Sequence, residues 1–572
     1  MQGFFRSFFT VSFYTFLSRI LGFVRDILIA RFLGSTVTSD AFFVAFRIPN
    51  FFRRVLAEGA YSAALIPVFS GVVIDSKNDH EAADFVENTM SLLLFVTVIL
   101  TFIFFFGMPY IIQILAPGFS ANKEAFDLAV HFGKIIFPYL IFISLVAHFA
   151  SINNVHGKFV AGAFAPAILN ISLILSLFIL TPQLSTAGHA LSYGVLIGGL
   201  FQFIYLYKAV LKFYRPRIRI PHFDKKLKKF LRLFFPGLIG SGVIQLNIVI
   251  GTIIASFLPI GAISHIYYAD RLNQLPLAIF GIAMGIVLLP SLSKAIKQNN
   301  KEEITTTQNR SLEFCLLIAL PSAAGLYILS SPIIYILFER GAFLPEDTFY
   351  TAKVLSIFAL GLPAYILIKV LVTCFFARED TKTPLYISVI SVIINIVLSL
   401  LLIGTMREMG IALATAISSW VNAVLLFFIL RIQKNILLDS RFINSSFKII
   451  ISAIVMSVGC YFINQMIFSN LQDFNSLLQI VSLIFVIICC KIIYLAMIFM
   501  LKVLTVQELK GYIQNKVSQK IEFYQGFNHQ AIYILVITWG QLKILCLFKK
   551  IMNVFFVLLT YMQSRYGKIQ KN

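Results

Sequence analysis

Charge is scarce in this chain. Only 13% of its 572 residues are Asp, Glu, Lys or Arg, about half of what a soluble protein of this length carries. That scarcity excludes an ordinary water-soluble domain. Cysteine is also rare: Cys315, Cys374, Cys460, Cys489, Cys490 and Cys546 lie in apolar stretches without C-x-x-C spacing. Metal-ribbon and redox chemistry are therefore not expected, and packing is the default role for these thiols. Acidic residues are few, 25 against 47 Lys and Arg, for a formal charge of +22. In a soluble protein that excess would suggest nucleic acid as a partner. Here the basic residues fall mostly in loops, so topology explains them and no nucleic-acid partner is expected. The N-terminus lacks a small-residue cleavage pattern, and Arg19 and Arg25 interrupt its apolar stretch. It reads as a first membrane segment, not a signal peptide. The short loops hold no D-x-D motif or histidine cluster, and His131, His148, His156 and His189 are scattered. No catalytic residue, metal site or cofactor is expected.

What the chain has is apolar length. Hydrophobic residues make up 59%, mean hydropathy is +0.88, and Phe alone contributes 59 residues. Apolar segments fall near 7–33, 40–73, 86–112, 128–153, 159–181, 188–208, 230–258, 263–293, 311–337, 351–376, 384–403, 409–431, 448–468 and 476–502. Each is long enough to cross a hydrocarbon core of ~30 Å, which predicts an all-α integral membrane protein of about fourteen transmembrane helices. Alternate loops differ in charge: one set holds twenty Lys and Arg, the other only Lys123, Arg340 and Arg407. The positive-inside rule puts the basic set and both termini in the cytoplasm.

The chain also repeats itself. "ALIPVFS" (64–70) matches "VLLPSLS" (287–293), and "PAILNISLILSLFIL" (166–180) matches "ISVIINIVLSLLLI" (390–403). Offsets are nearly constant: 223 from Pro67 to Pro290 and from Gly118 to Gly341, 225 from Asn170 to Asn395, 222 from Gly188 to Gly410. Segments 1–6 and 7–12 therefore form two parallel six-helix lobes, an architecture that places a transporter's site between its repeats. The expected division is an N-lobe (1–210), a basic cytoplasmic linker (211–229), a C-lobe (230–432) and two further helices (433–502). A basic tail (503–572) follows, in which an interfacial helix is expected.

A charge at mid-bilayer costs at least ~2.5–3.5 kcal/mol, so charges inside these segments should face a cavity. In "SRILGFVRDILIAR" (18–31), Arg19, Gly22 and Asp26 share one helical face, and Ser18, Gly22 and Arg25 an adjoining one. Arg31, near the segment's end, is placed to snorkel. In "DAFFVAFRIPNFFRRVLAEGA" (40–60), Asp40, Arg47, Arg54 and Glu58 fall within a narrow arc, with Asn50 beside them. Arg53 is about 100° from Arg54, so only one of the two is expected to face the cavity. Pro49 breaks the helical ladder between these charges. "YYADRLNQLP" brings Asp270 and Arg271 from the second lobe. The arginines outnumber the acids. Two lobes offering guanidinium to one cavity suit a multivalent anion, phosphate above all.

"SRILGFVRD", "SDAFFVAFRIPNFFRRVLAEGAYSAALIPVF", "YYADRLNQLP" and "GIAMGIVLLPSLSK" closely resemble the MurJ (MviN) lipid II flippases of bacterial peptidoglycan synthesis. The likeness covers roughly residues 1–500. It implies the fold of the MOP exporter superfamily: fourteen helices, two six-helix lobes and a central cationic cavity. It also implies a flippase that carries lipid II, an undecaprenyl-pyrophosphate-linked disaccharide peptide, across the inner membrane by alternating access. Such a protein would act as a monomer among membrane lipids, driven by the membrane potential or an ion gradient. By position, the resemblance assigns substrate binding to Arg19, Arg25, Arg53 and Arg271. It matches Asp26, Asp40, Asn50 and Glu58 to polar positions of the site or its gate, and the helical arc and the second lobe add Arg54 and Asp270 as gate or cavity support. Asn273 and Gln274 are neutral where family members often carry an acid, which removes one gate ion pair. A flippase for another polyprenyl-pyrophosphate glycan would share these residues.

Overall fold

The computed structural model describes residues 2–54, 61–75, 79–277, 282–469 and 475–503. Glu58 and the tail beyond 503 lie outside the described residues. Residues 1–498 form one compact unit. Its N-lobe contains α1 (Gln2–Leu33), α2 (Val37–Phe52), α3 (Tyr61–Asp75), α4 (Asp79–Leu115), α5 (Lys123–Ile136), α6 (Tyr139–Val155), α7 (Phe159–Ile179) and α8 (Ala187–Val210). The C-lobe contains α9 (Lys225–Ala255), α10 (Ala262–Pro276), α11 (Ile282–Lys297), α12 (Lys301–Ile328), α13 (Ser330–Phe338), α14 (Pro345–Phe376), α15 (Lys382–Met406) and α16 (Glu408–Ile432). Two helices follow, α17 (Ser440–Phe468) and α18 (Ser476–Met500).

Each of the fourteen apolar segments is found as one helix or as two consecutive helices. Among the described residues, ten spans are long and apolar enough to cross a membrane. In the second segment of each lobe the described helices are α2 and α3, and α10 and α11. Their described parts have 15 or 16 residues, about 23 Å each. Pro49 and Pro276 sit near the ends of α2 and α10. A proline there removes a ladder hydrogen bond, and a broken helix is tolerated at membrane depth where it lines a cavity.

Two of the basic loops carry the same local device. The linker between α8 and α9 is held on α4 by Asn88, whose side chain donates to the His222 carbonyl (2.6 Å) and accepts from the His222 amide (2.9 Å). Arg219 in the linker pairs with Asp84 and Glu87, and Asp224 caps α9 by accepting from Leu227 N (2.7 Å). In the C-lobe Asn309 of α12 holds the loop before α17, donating to the Leu437 carbonyl (2.7 Å) and accepting from Asp439 N (3.4 Å). Asp439 then caps α17 through Phe442 N (2.6 Å) and pairs with Arg310. So α17 enters against α12 much as α9 enters against α4. Asp84, His222 and Asp224 also bring potential metal-ligand atoms within 4.8 Å of one another. Arg219 already occupies Asp84, so this group is read as part of the strap.

At the opposite end the lobes meet backbone to backbone. Ala342 N donates to the Arg31 carbonyl (2.8 Å), and Tyr268 donates its hydroxyl proton to the Gly34 carbonyl (3.1 Å). Gly34 has φ +60°, and a Cβ there would lie 2.1 Å from the Ala342 oxygen. Gly118 N donates to Ser256 Oγ (3.1 Å), and a Cβ on Gly118 would lie 2.1 Å from the Ser256 carbonyl oxygen. Asp40, in the first turn of α2, crosses between the lobes. One carboxylate oxygen accepts from Gly261 N (2.7 Å), the other from Ser264 N (2.9 Å) and Ser264 Oγ (2.5 Å). Gly261 is the N-cap of α10 and has no side chain with which to cap it. An N-lobe carboxylate therefore caps a C-lobe helix, satisfying amides that would otherwise be orphaned.

Gly118→Ala should separate the lobes at this seal, with a cost of about 1–3 kcal/mol to the sealed state. Asp40→Asn should act in the same direction, because the amide cannot accept all three bonds at a cost below about 1–3 kcal/mol. Both are checked by amide hydrogen exchange at residues 256–264 in the purified protein. Faster exchange is expected, and wild-type protection in both variants would refute the role given to the seal.

Candidate functional site

A cavity of about 420 Å³ lies between the lobes, lined from α1, α2, α6, α7, α8, α9 and α10. Arg25 comes from α1. Arg47, Asn50, Arg53 and Arg54 come from α2 and its end, and Asp270, Arg271 and Gln274 from α10. The remaining wall is largely aromatic and aliphatic, with Phe43, Phe46, Phe51, Tyr139 and Tyr267 prominent.

One carboxylate organises the cationic wall. Asp26 is 3% exposed and accepts from Arg25 through Nη2 (2.7 Å) and Nε (3.0 Å). From the other lobe, Arg271 Nε lies 3.5 Å from the second oxygen of Asp26. Tyr267 ties the group together. Its hydroxyl donates to Asp26 (3.1 Å) and accepts from Arg271 Nη2 (3.1 Å), and the Arg271 guanidinium stands 4.5 Å over its ring. Phe43 of the N-lobe stacks on that ring at 3.9 Å. Two guanidiniums thus share one buried carboxylate across the lobe boundary. The group keeps a surplus positive charge.

Arg25 is aimed by Asn170 of α7, which accepts from its Nη1 (2.9 Å) while donating to the Ser18 carbonyl (2.9 Å). Arg53 Nε donates to Asn50 (3.2 Å). Asp270 accepts from Gln274. Arg47 is drawn most strongly to the charge of Asp270, and its Nε has no hydrogen-bond partner among the described residues. The five lining arginines face Asp270 as the only lining carboxylate among the described residues. A metal ion would be repelled here, whereas an anion with several oxygens finds planar donors on two sides.

The sequence-predicted residues divide clearly in the structure. Arg25, Arg53, Arg54, Asn50, Asp270 and Arg271 line the cavity, and Asp26 stands directly behind it. Arg19 does not line it and is exposed. Of the two adjoining faces of α1, the one with Ser18, Gly22 and Arg25 meets Asn170. That turns Arg19 away. Asp40 is in the interlobe seal and not in the cavity. Both Arg53 and Arg54 line the cavity, where ideal helical spacing allowed one. The two neighbours stand at the end of α2, and both border the cavity. Sequence reasoning missed Asn170 and Tyr267 as site residues. An Asn inside an apolar run was the available signal for the first, and the "YYADR" run for the second.

The family profile described as lipid II flippase MurJ matches residues 29–482. A relative from Rhizobium tropici, named a probable lipid II flippase MurJ, is 40% identical over 457 residues, 79% of this chain and 85% of its own. Among solved structures, a lipid II flippase MurJ in an inward closed conformation is 31% identical. It superposes with a TM-score of 0.70, covering 86% of this chain and 99% of the other. An inward-facing multidrug-resistance MATE transporter of the MOP superfamily shares the fold at 14% identity and a TM-score of 0.62, covering 73% and 94%. The arginine-lined cavity, the two-lobed repeat and these matches place the chain in one family: it belongs to the MurJ lipid II flippases.

Proposed function

We propose that this multi-pass inner-membrane protein moves lipid II from the cytoplasmic to the outer leaflet by alternating access. The observation that carries this reading is a cavity to which both lobes contribute arginine, in a fold sealed at one end by backbone contacts. The basic loops define the cytoplasmic end, so both termini are cytoplasmic and the seal faces outward.

Lipid II offers a pyrophosphate, and Arg25 and Arg271 present guanidinium groups to it from opposite lobes. Binding there competes with Asp26 for the same donors. The anion therefore loosens the cross-lobe carboxylate bridge that holds the cavity closed. A disaccharide-peptide head group is larger than the closed cavity, so the lobes must part at the cytoplasmic end to admit it. The polyprenyl tail stays in lipid, between helices. Parting at the outer end then breaks the Asp40 cap and the glycine contacts and releases the head group. The cytoplasm is electrically negative, so each negative charge moved outward gains ~2.3 kcal/mol per 100 mV. Arginines that travel with the substrate offset part of that gain. No bond is made or broken, and the cavity is complete within one chain, so a monomer suffices.

Depletion of the protein from a host without a redundant flippase should abolish lipid II exposure on the outer leaflet; undiminished exposure would sink the proposal. Complementation with Arg25→Ala or Arg271→Ala should restore at most about a tenth to a hundredth of wild-type flipping. That is the loss expected for one charge-assisted contact of ~1.5–3 kcal/mol. Competition by other polyprenyl-pyrophosphate glycans separates this reading from that of a flippase for another member of that class.

A further inference from the structure

Behind the outer seal, on the C-lobe side, lies a second buried charged group that the cavity does not use. His265 is in the first turn of α10 and its side chain is 4% exposed. Its Nδ1 lies 3.1 Å from Glu408, the first residue of α16, and its Nε2 lies 3.3 Å from Asp347, in the first turn of α14. Tyr350 of α14 stacks on the imidazole at 5.5 Å. Arg407 stands 4.6 Å over the other ring of that stack, Tyr350 itself, and its Nε is 3.4 Å from the second oxygen of Glu408. From α2, Asp40 also acts on His265 through its charge.

A neutral imidazole has one N–H donor and one lone pair, so it can satisfy only one of two flanking carboxylates. Both Asp347 and Glu408 sit at helix N-termini, where exposed amides favour the ionised form. The acceptors are therefore carboxylates, and the only state in which both ring nitrogens donate is imidazolium. In that state His265 and Arg407 balance Asp347 and Glu408. Without the proton, one carboxylate faces a lone pair in a buried site, and the clasp joining α10, α14 and α16 loses one side.

The clasp lies one residue from Ser264 and one turn from Gly261, the two residues that Asp40 holds from the other lobe. A Cβ on Gly261 would sit 3.4 Å from the His265 ring and 2.8 Å from the Ser35 carbonyl, so the imidazole edge borders the lobe boundary. We propose that His265, Asp347 and Glu408 form a proton-binding site that stabilises the sealed outer end, so that resealing after substrate release takes up a proton from the outer compartment. This rests on the transport reading given above, and names the ion linked to its resetting step. The sign follows: low outer pH favours the sealed state, and raising pH through the histidine's titration releases it.

The test uses the full chain in lipid vesicles, with amide exchange over residues 261–268 corrected for the intrinsic pH dependence, between about pH 5 and 8. Wild-type protection should fall with a limiting slope of about tenfold per pH unit, the signature of one linked proton. His265→Gln should be weakly protected at every pH, and His265→Lys, permanently charged, should be protected at every pH. A flat wild-type profile, or a His265→Gln profile with the wild-type slope, would overturn the site. The wild-type slope decides the matter even if a variant does not fold. Flipping of a fluorescent short-chain lipid II analogue is measured in parallel. Flipping with a flat exchange profile counts against the proton site alone, whereas a proton-linked profile without flipping counts against the transport reading alone.

Discussion

A guanidinium cannot be left in hydrocarbon, and most of this architecture follows from that cost. At least ~2.5–3.5 kcal/mol is lost for each arginine placed at mid-bilayer without compensation. The fold compensates in two ways. Asp26 takes a guanidinium from each lobe, Arg25 and Arg271, and the cavity keeps the remaining arginines away from lipid. Neither measure neutralises the site. A buried carboxylate shared by two arginines leaves one positive charge over, and among the described lining residues Arg47, Arg53 and Arg54 stand beside the single carboxylate Asp270. An anion entering the cavity supplies the balance, so desolvation that would oppose folding is turned toward ligand binding.

The two ends of the molecule are joined by different chemistry, and the difference is functional. At the seal the lobes touch through glycines and carbonyls, with Asp40 as the only described carboxylate bonded across the gap there. Such contacts form only at close approach and are lost together when the gap widens, which makes the seal two-state. At the opposite end, the linker that leads into α9 is strapped to α4 through Asn88 and Arg219. That strap ties the entry of the C-lobe's first helix to the N-lobe.

Much of this was legible in the sequence because it rests on hydropathy, charge and spacing. Fourteen apolar segments, the near-constant offset and arginines within the second and eighth segments all follow from residue type alone. What stayed hidden depends on backbone geometry. Arg53 and Arg54 both border the cavity at the end of α2, although the ~100° between helical neighbours predicts one of them. Arg19 was placed with the cavity by family resemblance, yet it lies one residue off the face of α1 that meets Asn170. The straps were invisible for another reason: Asn88 and Asn309 bond to main-chain atoms, so their partners at His222 and Leu437 leave no side-chain signature. Asp40 looked like one more acid on the arginine arc. Its real partner is a helix end 221 residues away, supplied by a glycine that cannot cap itself.

The same helices carry the cavity and the seal, and this gives a physical route between them. Asp40 is in the first turn of α2, and Arg47 and Asn50 are farther along it. On α10 the capped residues Gly261 and Ser264 stand at the N-terminus, with Asp270 and Arg271 about two turns later. Seven residues separate Ser264 from Arg271, roughly 10 Å of continuous helix. A displacement of Arg271 would therefore be delivered along one continuous helix to the amides that Asp40 holds. A ligand shifts such an equilibrium only by its differential affinity for the two states. A change in lobe spacing acts on the Arg271–Asp26 pair, which crosses the lobe boundary, and not on Arg25–Asp26, whose residues are neighbours on α1.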